Sequence, residues 1–128
     1  MAMKKLLVLF LLSLTLIACS SSDNSTVTQT SPIEAAGLVA NDFATIIDVR
    51  TASEWNNNHI AGAVHIPMSQ LRSRLDELKS YEGQLIMQCA VGGRSSKAVE
   101  ILQEAGFSNV SNMNGGLVAW QRSNLPVE

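Results

Sequence analysis

Cys89-Ala90-Val91-Gly92-Gly93-Arg94-Ser95 places a thiol, two glycines, a guanidinium and a hydroxyl within seven consecutive positions. The nucleophilic form of cysteine is the thiolate, and amides, a helix N-terminus or a nearby cation all favour its formation. Paired glycines let the backbone curl so that successive N–H groups point inward, which makes a cradle for an anion. Arg94 adds a fixed positive charge that could steady an oxyanion, and Ser95 stands where it could cap a helix or donate to sulfur. A lone cysteine ending an apolar run is more often a buried, inert thiol. The glycine pair, the arginine and the helix that follows weigh here toward a reactive one.

The flanking elements decide where that loop sits. Leu85 to Gln88 is an apolar run of strand length, and beyond the loop Ala98, Ile101, Leu102 and Ala105 recur at i, i+3, i+4 and i+7 before Gly106. That period is an amphipathic helix ended by glycine. Cys89 therefore stands at the carboxyl end of a strand, where open α/β sheets place their ligands.

The same alternation runs through the rest of the chain. A short strand is expected near Val27, and Ser31-Pro32-Ile33-Glu34 combines a capping Ser, a Pro at the first helical position and a Glu three residues after the cap. The helix it opens should reach about Ala40. Ala44 to Val49 reads as a strand, and Thr51 with Glu54 repeats the capping pattern. Val64 to Ile66 before Pro67 reads as a third strand, after which Ser69 opens a segment with Leu71, Leu75 and Leu78 at helical spacing. Val110 to Met113 is the last strand, followed by Gly115-Gly116 and a helix over about Leu117 to Arg122. The fold class expected is α/β: a mainly parallel central sheet of about five strands with helices on both faces.

The first residues read differently. Lys4 and Lys5 precede an apolar run from Leu6 to Leu16, too short to span a bilayer as a helix, and the run closes on Leu16-Ile17-Ala18-Cys19. This pattern resembles the lipobox of bacterial lipoproteins, in which the peptide is cut before a lipidated cysteine. The expected organisation is a signal peptide over 1–18, a polar tether over 19–30 and one domain over 31–128. Cys19 would anchor the chain to a membrane by acyl groups, and Ser20 after it resembles the pattern that sorts such proteins to the outer membrane, facing the periplasm. Losing Lys4 and Lys5 would leave seven basic against eleven acidic side chains, a net charge of −4, with no basic stripe for nucleic acid. With Cys19 acylated, Cys89 is the sole free thiol, so no internal disulfide can form.

Three separated segments resemble the hallmarks of the rhodanese family, in order. They are Ile46-Ile47-Asp48-Val49-Arg50 with Glu54-Trp55 and His59 to Pro67; Cys89 to Ser95; and Asn114-Gly115-Gly116-Leu117-Val118-Ala119-Trp120 with Leu125-Pro126-Val127. The resemblance implies a sulfurtransferase. A cysteine takes a sulfane sulfur from a small donor such as thiosulfate or a persulfide, holds it as a persulfide, and passes it to a thiol, cyanide or a protein acceptor. Carried over residue by residue, Cys89 is the nucleophile, the amides of Ala90, Val91, Gly92, Gly93 and Arg94 cradle the sulfur, and Arg94 helps hold the donor's anionic group. Ser95 completes the set of substrate-binding residues. No metal and no organic cofactor are implied. Ala90 and Val91 depart from members that carry basic or hydrogen-bonding side chains inside the loop, which puts thiosulfate in question as the natural donor. Asn56-Asn57-Asn58 stands where the family commonly has a small residue before His59, and reads as surface variation.

Several residues have plainer readings. Asp48 and Arg50 are expected to form a structural ion pair, and Glu54 to serve the helix cap. His59 and His65 lack the further ligands a metal site needs, and Trp55, Trp120, Met68, Met87 and Met113 suit packing. Two rival functions remain. A cysteine-dependent phosphatase would use a similar cradle, but its loop has five residues between Cys and Arg, whereas four separate Cys89 from Arg94. A persulfide carrier or thiol-binding module, meeting a partner protein at the envelope with little turnover of its own, is the alternative outside the enzymes.

Overall fold

The structure is a computed structural model that describes residues 26–128. The expected signal peptide, Cys19 and most of the expected tether lie outside the described residues. Five strands form one sheet: β1 (Gln29–Thr30), β2 (Ala44–Asp48), β3 (Val64–His65), β4 (Gln84–Gln88) and β5 (Val110–Met113). Their spatial order is β1-β5-β4-β2-β3, and every pairing is parallel. The helices are α1 (Pro32–Ala40), α2 (Ala52–Asn57), α3 (Met68–Leu71), α4 (Leu75–Leu78), α5 (Gly93–Glu104) and α6 (Gly116–Arg122).

Parallel strands are covered on both faces, so their residues divide between two cores. Ile47, Leu85, Met87, Cys89 and Val110 pack with Leu71, Leu78, Ala98, Val99, Ile101 and Leu102 on the side of α3, α4 and α5. Ala44, Ile46, Ile86 and Met113 pack with Ala35, Leu117 and Trp120 on the side of α1 and α6. Along β4 neighbouring residues alternate between the cores, which explains its unbroken apolar run.

The capping signals work as read. Ser31 Oγ accepts from the Glu34 amide, and Thr51 and Glu54 form a reciprocal capping box. One expectation changes. The segment after Pro67 begins at Met68 and is not one helix: a 3₁₀ turn at Arg72–Arg74 separates α3 from α4. Tightening that turn keeps Leu71 and Leu78 in the core, while Arg74 binds Glu77 on the surface. The first strand, expected near Val27, runs over Gln29–Thr30, and Val27 just before it packs against the core.

Candidate active site

From β3 the chain crosses back over β2 to β4, leaving a crevice between the carboxyl ends of β2 and β4. Such switch points are where α/β folds bind ligands. Cys89 directly follows β4 there, and only 1 % of it is exposed.

Sγ of Cys89 is surrounded by donors. The Gly92 amide lies 3.1 Å away, the Ser95 amide 3.4 Å and Ser95 Oγ 3.2 Å. Gly92 makes this possible with φ +106°, a left-handed conformation in which a side chain would be strained. It is also the first cap of α5, whose twelve residues present their positive end to the sulfur. Burial pushes the Cys89 thiol up, but the Ser95 hydroxyl and the amides of Ser95, Gly92 and Val91 outweigh it, so the thiol lies below its usual value.

The loop is clamped from outside by α6. The amides of Leu117 and Val118 donate to the carbonyls of Cys89 (2.8 Å) and Ala90 (3.1 Å), and the buried Gln88 side chain donates to the Cys89 carbonyl as well. With those carbonyls held outward, the following N–H groups are left to face the sulfur. The approach is so close that a Cβ at Gly116 would stand 2.5 Å from the Cys89 carbonyl oxygen and 2.6 Å from Ala90. Gly116 is thus part of the cysteine site, through backbone contact alone.

Arg94 is placed otherwise than its expected role suggests. Its guanidinium forms a two-pronged ion pair with Glu54, Nη1 to Oε1 at 2.7 Å and Nη2 to Oε2 at 2.8 Å. Glu54 Oε1 also accepts from the Thr51 amide and hydroxyl, so cap and ion pair share one carboxylate. The Arg94 guanidinium holds the Glu54 carboxyl well down, at about 2. Asp48 and Arg50 form the buried structural pair expected of them, with Nη2 to Oδ2 at 2.8 Å. Arg50 also donates to the carbonyls of Glu54 and Asn58, which ties α2 to the end of β2 and so positions Glu54.

Of the remaining loop residues, Gly93 opens α5 with free space around it, and Val91 turns its side chain outward, 67 % exposed. His59 and His65 both stack on Trp55, which follows Glu54, at 3.7 and 4.8 Å between ring centres. Beside Arg94 a cleft of about 410 Å³ is lined by Val49, Thr51, Ala52, Pro67, Met68, Ser69 and Gln70. A larger hollow of about 560 Å³ lies at the far end of α5, away from Cys89. Among the described residues no group of three His, Cys, Asp or Glu side chains converges as metal ligands would.

One participant, Asn112, and one pairing, Glu54 with Arg94, were not singled out from sequence. Asn112 Oδ1 lies 2.5 Å from Ser95 Oγ, and Asn112 Nδ2 donates to Gln29 Oε1. A pair of polar residues, Ser111 and Asn112, inside a short buried strand was the available signal. The Glu54–Arg94 pair joins residues forty positions apart and leaves no local trace.

A family model described as the rhodanese-like domain matches residues 31–123. The chain belongs to the rhodanese-like family. It is a sulfurtransferase of the rhodanese type. Curated relatives include thiosulfate sulfurtransferase GlpE of Actinobacillus pleuropneumoniae serotype 5b, 34 % identical over 105 residues, covering 82 % of this chain and 96 % of the relative. Thiosulfate sulfurtransferase 16, chloroplastic, of Arabidopsis thaliana is 37 % identical over 93 residues, covering 64 % and 78 %. Among solved structures, a rhodanese-related protein from Thermoplasma volcanium superposes with a TM-score of 0.70 at 28 % identity, over 79 % of this chain and 97 % of that one.

Proposed function

We propose that Cys89 is the nucleophile of this rhodanese-like sulfurtransferase, and that the protein works at the cell envelope on a lipid anchor at Cys19. The Cys89 thiolate attacks the sulfane sulfur of a donor, the donor's sulfur–sulfur bond breaks, and a Cys89 persulfide remains. A thiol, cyanide or a protein acceptor then attacks the outer sulfur and returns Cys89 as thiolate. The observation that carries this reading is the cluster of Gly92 N–H, Ser95 N–H and Ser95 Oγ around Sγ. These donors favour the attacking thiolate in the first step and the departing thiolate in the second.

Phosphoryl transfer fits less well. A phosphate needs a wider ring of donors closed by a guanidinium, and Arg94 is tied to Glu54 instead. Incubating the full chain with a sulfane donor should add one sulfur atom to Cys89, read by intact-mass and peptide spectrometry, and cyanide should remove it. If no donor yields the adduct, or if Cys89→Ser still turns over, the nucleophile assignment is wrong.

The envelope placement is supported by the run from Leu6 to Leu16 and by Leu16-Ile17-Ala18-Cys19-Ser20. On that reading the segment before the domain spans the gap between the membrane surface and the body.

A further inference from the structure

Sulfane donors differ in the charge they bring to the thiolate. Thiosulfate transfers sulfur as Cys89–S⁻ + ⁻S–SO₃⁻ → Cys89–S–S⁻ + SO₃²⁻, which gathers three negative charges at one point. An alkyl hydropersulfide transfers it as Cys89–S⁻ + R–S–SH → Cys89–S–SH + R–S⁻, with one negative charge throughout, or two when the donor is ionised. Both equations balance without an oxidant or reductant.

The formal charges around the loop do not supply what the first reaction requires. Asp48 and Arg50 cancel in a buried pair, and Arg50 also donates to the carbonyls of Glu54 and Asn58. Glu54 and Arg94 cancel in a two-pronged pair. Apart from these, the sulfur meets one helix end, equivalent to about half a positive charge, and the neutral donors of Gly92, Ser95 and Val91. Arg94 is the only cation lining the neighbouring cleft, which is walled otherwise by Val49, Ala52, Pro67, Met68 and small polar groups. Glu54 is also hard to dislodge, because Thr51 holds the same carboxylate through the cap of α2.

We infer that Glu54 is a specificity-determining residue. By occupying Arg94 it turns sulfur transfer away from dianionic donors and toward alkyl persulfides, whose carbon chain lies in the cleft of Val49, Ala52, Pro67 and Met68. This rests on the sulfurtransferase reading with Cys89 as nucleophile.

Glu54→Gln tests it, since glutamine at this helical position preserves the capping box while removing the charge. The measurement is the second-order rate constant for persulfide formation on Cys89, by acid quench and intact-mass spectrometry. The donors are thiosulfate and the persulfide of N-acetylcysteine methyl ester, and a thermal melt establishes that the full-length variant is folded. The wild type should prefer the alkyl persulfide. In the variant the ratio of the two constants should shift by about tenfold in favour of thiosulfate, one freed charged contact in the transition state. A wild type that prefers thiosulfate, or a variant in which both constants change by the same factor, overturns the assignment of Glu54 while leaving sulfur transfer standing. Absence of persulfide with both donors, in both proteins, removes the underlying reading and this inference with it.

Discussion

Replacing Ser95 by alanine removes the one side-chain donor given for the Cys89 sulfur and leaves the backbone of α5 in place. A hydrogen bond to a charged group contributes about 1.5–3 kcal/mol. The low end applies here, because Ser95 has one proton and two acceptors: Sγ at 3.2 Å and Asn112 Oδ1 at 2.5 Å. Taking about 1.4 kcal/mol, the Cys89 pKa should rise by about one unit. The sign follows from the state that is stabilised, since the hydroxyl favours the thiolate and its loss favours the thiol. Below both pKa values the thiolate fraction falls about tenfold, but a more basic thiolate is roughly threefold more nucleophilic, so alkylation slows by only about threefold. Above both values the variant should react about threefold faster than the wild type, and the two pH profiles should therefore cross. Alkylation of Cys89 by iodoacetamide across the titration, followed by mass spectrometry, reads this directly. Profiles that coincide, or a variant titrating at lower pH, would refute the idea that Ser95 stabilises the thiolate.

Two further outcomes are expected. Gly116→Ala puts a methyl group against the carbonyl of Cys89 and the Ala90 peptide at a positive φ, so the loop or α6 must move. The change should cost about 1–3 kcal/mol in urea unfolding and slow persulfide formation at Cys89, whereas a variant matching the wild type in both would show that the contact is not needed. The full chain produced in a bacterial host should carry lipid on Cys19, detectable by mass spectrometry of its N-terminal peptide. Cleavage at the same bond and retention in the membrane fraction by Cys19→Ala would contradict the anchor.

The element order was legible because its signals are local. Ser31 and Thr51 announce helix starts with partners three residues away, and Leu85 to Met87 is apolar because both faces of β4 are covered. Where a segment's shape depends on what lies beneath it, local signals ran short: Leu71, Leu75 and Leu78 have helical spacing, yet packing on the sheet breaks the segment at Arg72–Arg74. Gln29–Thr30 is strand only because β5 is there to pair with it.

The same division holds at the site. Cys89, the glycines after it and Ser95 are contiguous, so a nucleophile in an anion cradle at the end of a strand can be read from seven residues, and the order of three motifs names the family. Electrostatic and positional control comes from residues distant in the chain. Glu54 reaches Arg94 across forty positions, Asn112 engages Ser95 across seventeen, and the amides of α6 hold the Cys89 and Ala90 carbonyls. Sequence alone singled out the atom proposed to react, because the amides around it belong to its own loop. Only the tertiary structure decided that Arg94 is already neutralised, because charges cancel through space and a carboxylate brought in by another helix leaves no mark on the loop it faces.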